Sequence, residues 1–299
     1  MAVTAAQVKA LREKTGVGMM DCKKALTEND GDVEKAILWL RERGLSRAAK
    51  KADRVTAEGT VAIYVNDDNT GGVALEINCE TDFVSKNQDF INFADQVSKL
   101  ALEKDSTDID SLKAEAMSDG KSVGDKLTEL ISTIGENLNL RRIKVLKTSN
   151  GTVTGYSHMG GKIGTLVLLE GSTGEAAATL GQDLAMHCAA AAPRYLNSSD
   201  VDTKEIDQEK ELARKQLLEQ GKPEDLIEKI LVGQVNKFFK EICFLDQPFV
   251  KDSAVSVEKL IKNHSSDAVL RDYCRFQLGE GIEKKKEDFA AEVAAAVKD

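Results

Sequence analysis

The segment Thr81-Asp82-Phe83-Val84 sets a carboxylate beside a large apolar ring, at the predicted junction between a strand and a helix. An aromatic side chain on an exposed junction is unfavourable unless it packs against something. Two interpretations are open from these residues alone. Phe83 either folds back on the following helix as a hydrophobic staple, or it contacts another molecule.

A second group, Tyr156-Ser157-His158-Met159, lies at the predicted tip or edge of a hairpin. An imidazole in such a place commonly makes a hydrogen bond within its own loop. The alternative is that His158 is an active group.

Residues for covalent or cofactor chemistry do not form a workable pattern. The glycines of 155–163 are out of register with Lys162, and Ile163 stands where a phosphate-binding loop needs a hydroxyl. His187 and Cys188 are neighbours on a predicted helix, so they point in different directions. The five cysteines form no Cys-x-x-Cys pair, and the three histidines are far apart in sequence. We therefore expect no catalytic residue, no cofactor and no metal site, which argues against an enzyme.

The composition is that of an ordinary globular protein. Of 299 residues, 41% are hydrophobic and 30% are charged. No apolar run approaches the roughly 20 residues that cross a bilayer, and the N-terminus lacks the features of a secretory signal, so we expect a cytoplasmic protein. The net charge of −9 opposes general binding to nucleic acid. The basic stretch 41–54 is interpreted as a solvated linker, with contact to an acidic protein or to RNA as alternatives.

The first 44 residues predict three short helices. Thr4 caps the first, Gly16-Val17-Gly18 ends it, and 19–26 forms the second. The third begins at Asp32 and is expected to stop before Gly44. A bundle this small has a weak core, which is more typical of a docking module than of an enzyme.

The body of the chain repeats one plan, because two pairs of alternating strand patterns each precede a helical pattern. The first set comprises strands at 60–65 and 73–79 and a helix capped at Ser85, and the second comprises strands at 153–158 and 163–169 and a helix over 174–191. This repetition predicts two related α+β lobes, joined by a helix at 123–134.

The remaining elements complete the predicted α+β fold. Highly charged residues at 203–242 predict a protruding antiparallel helical hairpin, here called the arm. A short helix near 257–261, a strand at 269–278 and a C-terminal helix at 287–297 follow. The predicted domains are an N-terminal domain with its basic linker at 1–54, a first lobe at 55–140, a second lobe at 141–202 and 243–282, the arm at 203–242, and a C-terminal module at 283–299.

Two longer motifs stand out. They are Leu11-Arg12-Glu13-Lys14-Thr15-Gly16-Val17-Gly18-Met19-Met20-Asp21-Cys22-Lys23-Lys24-Ala25-Leu26 and Glu76-Ile77-Asn78-Cys79-Glu80-Thr81-Asp82-Phe83-Val84. Shorter ones are Ile134-Gly135-Glu136-Asn137, Arg141-Arg142, Ala185-Met186-His187, Gln247-Pro248-Phe249-Val250 and Asp288-Phe289-Ala290-Ala291-Glu292-Val293. In this order, over nearly the whole chain, they resemble the bacterial elongation factor Ts family in its long form, the nucleotide-exchange factors of elongation factor Tu.

The resemblance implies a fold and a set of contacts. The three N-terminal helices would form a ubiquitin-associated-like domain that docks on the G domain of elongation factor Tu. The residues implied in that docking are Met19, Met20 and Lys23. Those implied at the magnesium and phosphate region of the GTPase are Thr81, Asp82, Phe83, Val84 and, from the second lobe, His158. Contact there would displace GDP, and binding of GTP would release the factor.

The expected partner is elongation factor Tu in its GDP-bound and nucleotide-free forms, with no membrane and no direct nucleic acid. The arm is left with two roles, contact with this partner or formation of a homodimer. Two other function classes explain less. An adaptor that uses the N-terminal domain accounts for 1–44 but for neither lobe, and RNA binding through the basic stretch is disfavoured by the acidic total.

Overall fold

The computed structural model describes residues 3–283 and shows a mixed α and β protein. Its helices are α1 Ala5–Thr15, α2 Met19–Glu28, α3 Val33–Lys51, α4 Gln88–Lys104, α5 Ile109–Ala114, α6 Val123–Ile134, α7 Glu175–Ala191, α8 Thr203–Glu219, α9 Glu224–Ile242 and α10 Val257–His264. Its strands are β1 Glu58–Val65, β2 Gly71–Cys79, β3 Leu138–Lys147, β4 Gly151–His158, β5 Ile163–Glu170, β6 Pro248–Phe249, β7 Asp252–Ser256 and β8 Val269–Gln277. Short 3-10 turns occur at Val84–Lys86 and Ser198–Asp200. The predicted mixture of helices and small sheets is thus confirmed.

These elements belong to two compact units. Unit 1 contains residues 3–62, Leu75–Ile143 and 277–283, and unit 2 contains Ile63–Ala74 and Lys144–Phe276. The sheets have the strand orders β1-β2-β3, β4-β5-β8 and β6-β7. No helix in the described part of the chain has the length and apolar character needed to cross a membrane.

The N-terminal helices of unit 1 begin and end at the residues that their local chemistry favours. Thr4 caps α1 in a capping box with Gln7, and Gly16 ends it with a φ of +69°. Asp32 caps α3 through the Lys35 amide at 3.0 Å. The three helices bury a common apolar cluster formed by Val8, Leu11, Val17, Cys22, Ala25, Leu26, Ala36 and Leu40.

The predicted end of α3 before Gly44 is wrong, because the helix continues to Lys51. A single glycine lowers helix stability by about 1 kcal/mol relative to alanine, which does not by itself end a packed helix. Gly44 is buried, and a Cβ atom there would lie 3.4 Å from the side chain of Ser132 on α6. Glycine therefore allows α3 to lie close to α6. The basic stretch 41–54 is consequently mostly helical rather than an irregular linker.

All nine residues of β2 are buried, and residues 75–79 of this strand belong to unit 1. The helix α4 presents a buried stripe with the spacing of one helical face, formed by Phe90, Phe93, Ala94, Val97 and Ala101. The strand β3, which lies next to β2, was not predicted. Its burial does not alternate, and Arg141 and Arg142 lie near its centre.

In unit 2, β4 and β5 form the predicted antiparallel hairpin, with Gly151 opposite Glu170 and His158 opposite Ile163. The helix α7 packs closely on β4, since a Cβ atom at Gly181 would lie 2.6 Å from the Thr154 hydroxyl oxygen. The core of this region is apolar and joins α7, α10, β5 and β8 through Leu169, Leu180, Leu184, Cys188, Phe244, Val257, Ile261 and Leu270.

The arm consists of α8 and α9, which pack side by side through Ala213, Leu217, Ile227 and Leu231. The residues between the helices are 220–223, and Pro223 stands immediately before α9. The predicted C-terminal module at 283–299, with its helix at 287–297, lies outside the described residues except for Glu283.

Candidate functional site

The segment 81–84 connects β2 to α4 in unit 1, and its two apolar side chains have opposite environments. Phe83 is 80% exposed, whereas Val84 is only 8% exposed. The staple interpretation is therefore wrong for Phe83, which does not fold back on the helix. Val84 is the buried member of the segment, and it fixes the backbone from which Phe83 projects.

The start of α4 also differs from the prediction. Asn87 is the cap, because its side-chain oxygen accepts hydrogen bonds from the amides of Asp89 at 2.8 Å and Phe90 at 3.3 Å. Ser85 instead donates its hydroxyl to the carbonyl oxygen of Asp82 at 2.7 Å. The 3-10 turn Val84–Lys86 thus leads from the segment to the helix, and Phe83 stands immediately before that turn with helical backbone angles.

The two polar residues before Phe83 are held differently. The carboxylate of Asp82 is exposed and forms an ion pair with Lys86 at 2.9 Å. Exposed pairs of this spacing contribute little, so Asp82 can exchange Lys86 for another ligand at small cost. Thr81 is half-buried, and both its amide and its hydroxyl donate to the carboxylate of Glu136.

His158 lies at the end of β4 in unit 2, where its ring is exposed. Its Nδ1 atom lies 3.0 Å from the hydroxyl of Tyr156, so the hydrogen bond expected within the loop is present. Met159 follows with a φ of +51°, and its side chain is 71% exposed. The exposure of Met159 was not predicted, although the glycine pair that follows it indicates a tight turn, which places its neighbours outward.

The predicted docking residues lie on α2. Met19, Met20 and Lys23 are exposed, and Met20 is 75% exposed. The opposite face of α2 is buried in the three-helix core through Cys22, Ala25 and Leu26. Methionine side chains are flexible and polarisable, which suits a surface that must fit a partner. Leu38 on α3 is a further exposed apolar residue that sequence analysis did not single out.

The cations of the basic stretch 41–54 make contacts within unit 1. Arg41 pairs with Asp125 at 3.0 Å, and Arg54 pairs with Glu80 at 3.3 Å. Lys51 donates to the carbonyl oxygen of Gly135. These contacts attach α3 to the segments around α6 and the end of β2. Three cations of the stretch are thus engaged within unit 1.

One longer motif and one short motif meet around a buried carboxylate in unit 1. Glu76 is fully buried and accepts hydrogen bonds from Arg141 at 2.8 Å, Arg142 at 2.6 Å and the amide of Gly279 at 2.9 Å. Burial acts to raise the pKa of the Glu76 carboxyl, but these hydrogen bonds outweigh it and lower the pKa below its usual value. The Glu76 carboxylate is therefore a charged group that links β2 to β3 and to Gly279 through hydrogen bonds.

Two other motifs meet around His187, which is buried in unit 2. Its Nδ1 atom accepts from the amide of Val250 at 3.2 Å, so its Nε2 atom donates to the side-chain oxygen of Gln247 at 2.9 Å. Burial lowers the pKa of the imidazole, which favours this neutral form. Burial likewise raises the pKa of the Cys188 thiol. Both groups are buried structural residues, and this arrangement gives no activated nucleophile.

The described residues contain no group of three or more His, Cys, Asp or Glu side chains placed to hold a metal ion. What the structure offers instead is exposed side chains at three places, namely α2 and the segment 81–84 in unit 1, and the tip of the β4–β5 hairpin in unit 2. Such features suit contact with a macromolecule better than a reaction on a small substrate.

Comparison with known proteins gives a consistent result. A family model described as Elongation factor TS matches residues 80–280. Proteins named Elongation factor Ts are similar to this chain over their full lengths. The one from Magnetococcus marinus is 51% identical, with 99% of each chain covered. Those from Syntrophotalea carbinolica and Halothermothrix orenii are 48% and 44% identical, with 100% and 99% of each chain covered.

Proposed function

Because the chain belongs to the elongation factor Ts family, as its motifs predicted, we propose that it is a guanine-nucleotide exchange factor for elongation factor Tu. It acts in translation elongation in the cytoplasm, and it binds the GDP-bound and nucleotide-free forms of its partner. No covalent step is involved, so the chain is not an enzyme in the usual sense. The observation that carries the proposal is the exposure of Phe83 on an anchored segment.

Phe83 acts as a wedge at the magnesium and phosphate region of the GTPase. Burial of a phenylalanine side chain contributes about 1.5–3 kcal/mol, and an exposed ring has most of this free energy available. Magnesium and a cradle of backbone amides hold a bound diphosphate, so displacement of either weakens nucleotide binding. Asp82 then leaves Lys86 and disturbs the magnesium site of the partner, while Thr81 and Val84 hold the segment.

Thermodynamic reciprocity explains release. If the factor lowers the affinity of elongation factor Tu for nucleotide, nucleotide lowers the affinity of the factor by the same ratio. The factor therefore binds the nucleotide-free state best, and incoming GTP displaces it. Phe83 produces this preference because it makes its contacts only in the open, nucleotide-free state of the partner.

The other exposed features take supporting roles. The α1–α3 bundle is a ubiquitin-associated-like domain that docks on the G domain through Met19, Met20 and Lys23. His158 contacts the same GTPase from the second α+β lobe. We propose that the arm is an antiparallel coiled coil that contacts the partner or a second copy of the chain.

Release of a fluorescent GDP analogue from purified elongation factor Tu tests the proposal. The wild-type chain should accelerate release strongly. Phe83→Ala should lower the maximal rate by about 10- to 150-fold, the equivalent of about 1.5–3 kcal/mol of lost burial. Asp82→Ala should lower it less. Val269→Ala is the matched control, because it truncates another exposed apolar side chain outside the proposed contacts.

Circular dichroism and urea unfolding should show that Phe83→Ala is folded, since an exposed ring stabilises the free chain little. The proposal is wrong if the wild-type chain leaves GDP release unchanged. The proposed role of Phe83 is wrong if Val269→Ala and Phe83→Ala slow GDP release equally.

A further inference from the structure

The segment that carries Phe83 is held by hydrogen bonds to residues more than fifty positions away. The two oxygens of Glu136 accept the amide of Thr81 at 3.0 Å and its hydroxyl at 2.7 Å. In the opposite direction, Glu80 accepts the amide of Asn137 at 2.6 Å. Each carboxylate thus bonds the backbone of the other segment. We call these three hydrogen bonds the Glu80–Glu136 clasp.

Further contacts support the clasp from the end of α3. The side-chain amide of Asn137 is buried and donates to the carbonyl oxygens of Ala52 at 3.3 Å and Arg54 at 3.0 Å. The guanidinium of Arg54 lies 3.3 Å from both oxygens of Glu80. Hydrogen bonds to ionised groups are stronger than neutral ones, and these acceptors are partly shielded from water. The start of the segment 81–84 is therefore well fixed.

This anchoring sets the direction in which the Phe83 side chain leaves the backbone. Because the ring is 80% exposed, it has little packing of its own to fix its position. The backbone that carries it is fixed before the ring by Thr81 and after it by buried Val84 and the Asn87 cap. Within the segment, the Ser85 hydroxyl also holds the carbonyl oxygen of Asp82.

We propose that Glu136 is a positioning residue for nucleotide exchange, because its carboxylate holds Thr81 so that Phe83 is presented in the conformation that enters the partner. This inference rests on the proposed exchange function. A backbone segment held in its bound conformation loses less conformational entropy on binding. The clasp would thus raise the rate of GDP release without adding a contact to the partner.

The clasp itself can be tested on the free chain by NMR measurement of amide hydrogen exchange. Glu136→Gln removes the charge and replaces one acceptor oxygen with a donor group, so neither hydrogen bond from Thr81 keeps a charged acceptor. We expect the Thr81 amide to exchange about tenfold faster in this variant, as follows from loss of a hydrogen bond to a charged group. Glu129→Gln is the matched control, because it removes a carboxylate of α6 that pairs with Lys121 and Lys126.

Kinetics of GDP release then test the positioning role. Glu136→Gln should lower the maximal rate by about tenfold, while the half-saturating concentration changes by less than about twofold because the α2 surface is unaltered. Thr81→Val should behave similarly, and Thr81→Ser, which keeps the hydroxyl, should restore most of the rate. In a chain that already carries Asp82→Ala and Phe83→Ala, Glu136→Gln should cause no further loss, because both partner-contacting side chains of the segment are missing.

The outcomes separate this inference from the proposed function. Unchanged exchange of the Thr81 amide in Glu136→Gln would show that the clasp does not hold the segment. Faster amide exchange with a normal rate of GDP release, while Phe83→Ala is slow, would overturn the positioning role alone. An additional loss in the chain that carries both Asp82→Ala and Phe83→Ala would also overturn it, by showing a general effect of Glu136 on the fold. If the wild-type chain does not accelerate GDP release from elongation factor Tu, both the proposed function and the positioning role are wrong. Amide exchange would still show whether the clasp holds the segment.

Discussion

The two units each contain a junction from a strand to the long helix that follows it, and the two junctions differ in content. In unit 1, residues 80–87 connect β2 to α4, carry the exposed Phe83 and end at a side-chain cap, Asn87. In unit 2, Gly171-Ser172-Thr173-Gly174 connects β5 to α7 without a large apolar residue, and Gly174 makes no side-chain cap.

The second junction shows that this order of elements does not require an exposed aromatic ring. Its polar groups bond within unit 2, since the carbonyl oxygen of Ser172 accepts from Thr152 at 2.9 Å and its hydroxyl lies 2.9 Å from Nε2 of His264. A similar connection is thus made by short polar residues alone. The exposed Phe83 is unfavourable in the free chain and unnecessary for the connection, which favours a role in binding.

The largest effect that separates the junctions is expected from Gly174→Ala. Gly174 has a φ of +86° and a ψ of −175°, a region that essentially only glycine occupies. A Cβ atom there would meet nothing within 4 Å, so the strain would come from the backbone alone. We expect a loss of about 1–3 kcal/mol in the free energy of unfolding, measured in urea. The maximal rate of GDP release by the folded protein should be normal.

Phe83→Ala should give the opposite pattern, slow release with normal stability. The claim that only the first junction acts in exchange is wrong if Gly174→Ala slows GDP release as much as Phe83→Ala does, under conditions where both proteins are folded. The contrast between the junctions also fails if Phe83→Ala destabilises the chain as much as Gly174→Ala does.

The second prediction concerns pH and the buried histidine of unit 2. Burial lowers the pKa of His187 in the folded protein, so the unfolded chain takes up a proton near pH 6.5 while the folded protein does not. The stabilising contribution of neutral His187 is therefore complete above about pH 6.5 and falls as the pH drops towards the folded pKa. The slope for one proton is at most about 1.4 kcal/mol per pH unit.

Urea unfolding at pH 7.5, 6.5 and 5.5 measures this slope. His187→Gln should flatten the fall between pH 6.5 and 5.5, whereas Phe83→Ala, which removes no titratable group, should retain the wild-type slope. Equal slopes in wild type and His187→Gln would show that other groups cause the dependence on pH.

Local patterns in the sequence predicted most elements, but contacts between distant segments decided the rest. The hairpins were predicted because one face of each strand is apolar, and α1 because Thr4 and Gly16 act within a few residues. The strand β3 was missed because its two arginines look unsuited to a sheet. Their partner, the buried Glu76, lies 65 and 66 positions away.

The candidate site was predictable to a similar degree. A phenylalanine at position 83 suits both a ring packed on the following helix and a ring that contacts a partner. The sequence therefore could not show whether the Phe83 ring is buried or exposed. The role of Glu136 was not predicted, although its motif was noticed, because the bond to Thr81 spans 55 positions. The cap of α4 was predicted at Ser85 and the end of α3 before Gly44, and both predictions were wrong for the same reason. In each case a plausible local signal was outweighed by the surrounding structure.

The smallest effect is expected from Lys86→Ala, which removes the ion pair of Asp82 at the first junction. The pair is exposed and spans four positions, and such pairs contribute about 0.3–0.5 kcal/mol. The free energy of unfolding should change by no more than this, and the maximal rate of GDP release should stay within about twofold of wild type, because a change of 0.4 kcal/mol corresponds to that factor. Lys99→Ala on α4 provides a lysine control.

If Lys86→Ala loses as much rate as Phe83→Ala does, Lys86 orients Asp82 for the partner. The first junction would then depend on a polar pair as well as on an exposed ring.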